Sequence, residues 1–131
     1  MNWWWPLDNP IRYESCKVVE SSTMPGVRFR VRRMSLERRV ELTRRLSELL
    51  KRIEFLEAGS EPRERMEAAA AAAEVDRIHL EWGLTALEGL EIDGEPATPA
   101  KLIEAGPDSL TREIVQAIRA ECGLTEAERK N

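Results

Sequence analysis

The apolar positions of this chain follow a period of two first and a period near three and a half later. Val27-Arg28-Phe29-Arg30-Val31-Arg32 alternates apolar and charged residues through three full periods. That pattern predicts a half-buried strand, with Val27, Phe29 and Val31 on one face and three arginines on the other. Cys16-Lys17-Val18-Val19-Glu20 is a shorter β-prone run, and Ser21 to Gly26 supply turn residues between the two. Residues 14–34 therefore read as a β-hairpin. A lone hairpin is marginal in water, so its apolar face must pack on the rest of the chain or on a partner.

Ser35 is a good N-cap, and the helix it opens is predicted to run to about Ala58, with Gly59 ending it. Leu42, Leu46, Leu49, Ile53 and Leu56 fall at spacings of 4, 3, 4 and 3, and Leu36, Val40 and Leu50 widen the stripe. Such an amphipathic helix packs against another helix. Ser60-Glu61-Pro62 predicts the second start, with proline in the first turn, where its missing N–H costs little. Ala68, Ala71, Val75, Ile78 and Trp82 then repeat at 3, 4, 3 and 4. Residues 35–82 thus read as an antiparallel helical hairpin, in which the alanines allow close approach.

The remainder, residues 83–131, is predicted as short helices. Gly89, Gly94 and Pro96 interrupt the pattern, and Asp93-Gly94 marks a turn. Thr98-Pro99 opens a short helix that stops at Gly106, and Pro107-Asp108-Ser109 opens another. Leu110, Ile114, Ile118 and Cys122 sit four apart on the inner face of the latter, Gly123 closes it, and Thr125 to Glu128 match a capping box for a final turn. Residues 1–13, with Pro6, Asn9 and Pro10, read as an irregular arm. The expected fold is mostly α: a single α-rich domain over 14–131, with an N-terminal β-hairpin, a long helical hairpin and a small C-terminal helical cluster.

Composition narrows the class. At 131 residues, 42% apolar and 34% charged, the chain is the size of one domain and too rich in both residue types for simple disorder. Its longest strictly apolar run, Ala68 to Ala73, is far short of the ~20 residues that a bilayer crossing needs. The opening MNWWWPLDNP has no basic n-region, long apolar stretch or small-residue cleavage site, so no secretory signal is expected. Cys16 and Cys122 make no disulfide framework, and a reducing, cytoplasmic location is the plain expectation.

The net charge of −4 hides an uneven distribution: −1 over residues 1–27, +7 over 28–52 and −10 over 53–131. A basic block beside an acidic one serves a nucleic-acid site, an attraction between two parts of one fold, or steering toward a protein partner. Arg28, Arg30 and Arg32 share the strand face, and Arg38 and Arg45 recur on one face of the first long helix. The one aromatic among them, Phe29, points the other way, and no short recognition helix follows. The pattern therefore argues against nucleic acid and for internal or protein-directed use.

Catalytic chemistry has little to work with. His79 is the only histidine, and one histidine with two distant cysteines is no zinc set. Phosphate-cradling glycine loops, H-E-x-x-H and G-x-S-x-G are absent from the sequence. The expectation is a non-enzymatic protein without metal or cofactor. Trp3-Trp4-Trp5 is the conspicuous exception to an ordinary composition. Three consecutive tryptophans cannot all enter one core, and tryptophan is enriched among binding anchors. The arm either meets a partner or folds back on its own domain.

The order of motifs adds a resemblance. G-V-R-F-R-V-R-R-M-S (Gly26 to Ser35) precedes a basic helix beginning L-E-R-R-V-E-L and an alanine-rich helix. W-G-L-T-A-L-E-G-L-E-I-D-G-E-P-A-T-P and a terminal E-R-K-N follow. The chain resembles the small tail assembly chaperones of long-tailed bacteriophages and their prophage remnants. Gly26 to Ser35, Trp82-Gly83, Asp93-Gly94-Glu95-Pro96 and Lys130-Asn131 carry the likeness, which spans about residue 26 to the end. The Trp3–Trp5 arm is not part of it. The resemblance implies a non-enzymatic protein that coats the long, aggregation-prone tape-measure protein, recruits tail tube subunits and departs before the virion is complete. A structural tail or connector component and a small nucleic-acid-binding regulator are the alternatives, and self-association is open. The expected client site is Leu42, Leu46, Leu49, Ile53 and Leu56, backed by Trp3, Trp4 and Trp5. The competing fate of that stripe is to be consumed by the second helix.

Overall fold

The computed structural model describes residues 9–123 of the chain. Strands β1 (Cys16–Glu20) and β2 (Arg28–Arg32) form the expected antiparallel hairpin, in register from Cys16 opposite Arg32 to Glu20 opposite Arg28. The turn closes through Ser21 N–H to the Val27 carbonyl at 2.9 Å, and Gly26 adopts φ +94°, a backbone conformation that favours glycine. Phe29 and Val31 are buried on the inner face, while Arg28 and Arg30 are exposed on the outer.

Helix α1 (Leu36–Glu57) starts where expected, with the Ser35 hydroxyl accepting from the Arg38 N–H at 3.2 Å. Helix α2 (Pro62–Gly83) opens on a Glu61/Glu64 capping box with Pro62 in the first turn. Arg45 faces Glu81 at 3.9 Å and Arg52 faces Glu67 at 4.0 Å, which fixes the two helices as antiparallel. Helices α3 (Pro99–Ala105) and α4 (Asp108–Glu121) form the C-terminal cluster, the first capped by Thr98 accepting from the Lys101 N–H at 3.1 Å.

Residues 83–131 contain more than the short helices expected there. Directly after α2 the chain forms β3 (Leu84–Glu88), which pairs antiparallel with β2 and makes a three-stranded sheet of order β1-β2-β3. A two-stranded ribbon, β4 (Glu91–Ile92) and β5 (Glu95–Pro96), then turns at Asp93-Gly94. Both turn residues have positive φ, 52° and 83°, as a tight two-residue hairpin turn requires. The physical reason for the extra strand is the exposed ladder of β2. Pairing on both edges satisfies its backbone groups and gives its apolar face a wider sheet on which to build.

The core lies between the inner sheet face and the helices. Phe29, Val31, Leu102, Leu110, Ile114 and Ile118 are its fully buried side chains, joined by Leu42, Leu46, Val75, Leu80, Trp82 and Leu84. Leu110, Ile114 and Ile118 keep the four-residue spacing predicted for the inner face of α4. Gly83 sits where a Cβ would meet the Ile118 side chain at 2.8 Å, so the α2–β3 junction passes against α4 only without a side chain.

Candidate protein-binding surface

Helix α1 positions most of the residues singled out in the sequence. Its 4-3-4-3 stripe faces α2: Leu42, Leu46 and Leu56 are buried, and Leu49 and Ile53 are half-buried against the core. The stripe is therefore the seam of the helical hairpin rather than an open client surface, because α2 covers it. Trp3, Trp4 and Trp5 lie outside the described residues, as does the capping-box turn predicted at Thr125 to Glu128.

The apolar surface left open lies beside that stripe. Leu36 is 83% exposed, and Val40 and Leu50 are 43% and 45% exposed on α1. Near the free end of the helical hairpin, Phe55 and Met66 are 75% and 74% exposed. A cavity of about 310 Å³ runs along the same side of α1, between it and α4. Met34, Leu42, Leu46 and Leu50 give it an apolar floor, with Arg39 and Arg119 at its sides. The Arg39 side chain donates to the Cys122 carbonyl at 3.4 Å, and the Arg119 guanidinium donates to Asp76 at 2.7 Å, tying α4 to α2.

The arginines serve the fold more than a common external site. Arg28 donates to the Glu88 carboxylate at 2.7 Å, which raises its guanidinium pKa above the ordinary value. Arg30 Nε donates to the Thr85 hydroxyl at 2.9 Å, and with Arg28 and Arg32 it projects from the sheet. Arg38 donates to the carbonyls of Ser15 at 2.6 Å and Arg33 at 2.9 Å, so it ties the start of α1 to the root of the β-hairpin. Arg45 faces Glu81 on α2. The sheet arginines thus lie on one surface, while Arg38 and Arg45 are committed elsewhere.

One polar cluster gave no signal in the sequence. Glu113 on α4 accepts from the Ser21 hydroxyl at 2.6 Å, the Ser22 N–H at 2.8 Å and the Ser22 hydroxyl at 3.0 Å. Partial burial opposes its charge, but these bonds and one from Thr23 outweigh that and hold its pKa down to about 2. Glu113 latches the β1–β2 turn onto α4. The pairing partners are 92 positions apart in the chain, beyond any local pattern.

His79 is buried in α2, with Nδ1 2.9 Å from the Val75 carbonyl, the placement of a packed histidine that donates within its own helix. Among the described residues, no group of three or more His, Cys, Asp or Glu side chains is arranged to hold a metal ion. No described helix is long and apolar enough to cross a membrane. No family model matches the chain, and neither the curated proteins nor the solved structures include a significant match.

Proposed function

We propose that this protein is a non-enzymatic tail assembly chaperone of a long-tailed phage or prophage, acting in the host cytoplasm. It binds the tape-measure protein, keeps that long helical client soluble and brings tube subunits to it. The observation that carries the reading is the row of apolar side chains left exposed along the two long helices, Leu36, Leu50, Phe55 and Met66 among them. Exposed apolar residues on a helical hairpin suit the helix-on-helix capture of a coiled-coil-like client. The chain's charged residues, 34% of the whole, suit a complex that must remain soluble. The motif order described above supplies the identity of the client.

Co-expression with the tape-measure protein encoded nearby tests the proposal. The expected result is a soluble client that co-purifies with this chain, and finished particles that lack the chain. An insoluble client with nothing captured contradicts it. Recovery of the chain from assembled tails would support a structural tail component instead.

A further inference from the structure

Helix α1 carries two heptad seams, and α2 fills only one of them. The buried seam is Leu42, Leu46, Leu49, Ile53 and Leu56. The second is Leu36, Val40, Thr43, Ser47 and Leu50, again at spacings of 4, 3, 4 and 3. It runs for roughly 21 Å along the helix at 1.5 Å per residue. Its apolar members are open, Leu36 at 83%, Val40 at 43% and Leu50 at 45%, and the cavity between α1 and α4 opens along it. A helix with two seams is built to touch two helices.

The residues flanking a seam select the partner by charge. Glu37, Arg44 and Lys51 line one side of the second seam, and Arg39 lies on the other, all four exposed. Among the described residues Arg44 and Lys51 enter no ion pair. Arg119, at the α4 side of the cavity, is already paired with Asp76 and adds no open cation. An antiparallel second copy of this chain would set Arg44 against Arg44, with Glu37 meeting Lys51, so self-pairing gains less from this flank than a helix acidic throughout would. A helix with Asp or Glu beside its apolar positions would be attracted.

We propose that the outer seam of α1 docks one amphipathic helix whose seam is flanked by acidic residues. The chemistry of that helix follows from α1 itself, while its assignment to the tape-measure client rests on the chaperone reading above. Thr43 and Ser47 occupy two of the five seam positions with polar side chains. They weaken the contact and make it releasable, as a protein that leaves its client requires.

The test uses the full chain and two synthetic three-heptad peptides with leucine seams, one flanked by Glu and one by Lys, titrated by fluorescence anisotropy at low and moderate salt. The Glu peptide is expected to bind at least tenfold more tightly than the Lys peptide, with an advantage that shrinks as salt rises. Leu36→Glu with Leu50→Glu should reduce binding at least tenfold. Val18→Glu, exposed on β1 and not part of the seam, should not change it. Thr43→Leu with Ser47→Leu should tighten binding at least tenfold, a gain that misfolding cannot mimic. Equal binding of the two peptides, or none of either, overturns the proposal. So does a dimer of the chain that Leu50→Glu dissociates, or Glu-peptide binding that arises only when residues 124–131 are removed.

The two readings fail separately. A client that stays soluble with the Leu36→Glu, Leu50→Glu chain overturns the docking site and leaves the chaperone intact. A wild-type chain that binds the Glu peptide yet rescues no client does the reverse.

Discussion

The sheet end of the molecule and the free end of the α1–α2 hairpin bury their side chains in different ways. At the sheet end, Phe29, Val31, Leu102, Leu110, Ile114 and Ile118 are fully buried among three strands and four helices. At the free end, Leu56, Ala68 and Ala71 are buried only between two helices, with Phe55 and Met66 open on their outer faces. Stability concentrates where elements distant in the chain converge. The free end depends on one seam and on helix propensity, to which the run from Ala68 to Ala73 contributes. The proposed function would place partner capture on the less deeply buried helical hairpin and leave the sheet end to hold the fold.

The contrast predicts a ranking of substitutions. Ile118→Ala should cost about 4 kcal/mol, enough to threaten folding, because that side chain is fully buried in the core. Chemical denaturation measures it, and a loss under 1 kcal/mol would contradict the assigned core. Gly89→Ala should cost about 3 kcal/mol, since Gly89 has φ +83° and a Cβ there would run into the Gly26 carbonyl.

Glu113→Gln should cost about 2 kcal/mol near neutral pH through its weakened bonds to the turn. The sign with pH follows from the depressed folded-state value of about 2 against an ordinary 4.5. The carboxylate contributes fully above the ordinary value and loses its contribution as pH falls toward the folded one. The gap between wild type and Glu113→Gln should therefore close on acidification from pH 5 to pH 2, and a gap that widens would contradict the latch.

Leu56→Ala at the free end should cost the least, about 1–2 kcal/mol, because the surrounding helices can relax toward solvent. Hydrogen exchange should place its effect in the adjoining turns of α1 and α2 and leave the sheet unchanged. A global loss as large as that of Ile118→Ala would erase the distinction between the two ends.

Helix starts were legible because their signals are local. Ser35, Thr98, Pro62 and Pro99 act within one turn of where they stand. The β1–β2 hairpin was legible for the same reason, since the alternation through Val27 to Arg32 needs no distant information. Strand β3 was not. Leu84-Thr85-Ala86-Leu87-Glu88 lacks clean alternation, follows Gly83 with no intervening turn, and pairs with residues as many as 60 positions away. The Glu113 latch was hidden likewise, one glutamate among many until the fold brings Ser21 beside it.

Leucine spacing located the apolar seam of α1, but spacing alone did not say which neighbour would claim it. The cover supplied by α2 moved the candidate surface to the side of Leu36, Val40 and Leu50. The cationic flank of that side was equally visible in the sequence, as part of the +7 block over residues 28–52. Its relation to a second seam became legible only once the first was occupied.

The most direct test of the proposed function is hydrogen exchange of the full chain alone and mixed with its proposed client, the tape-measure protein. The account predicts slower exchange along residues 36–50 of α1 when the client is bound, with the sheet and α4 core unchanged. Protection that falls on the sheet, or a complex that leaves α1 as it is in the free chain, would contradict it.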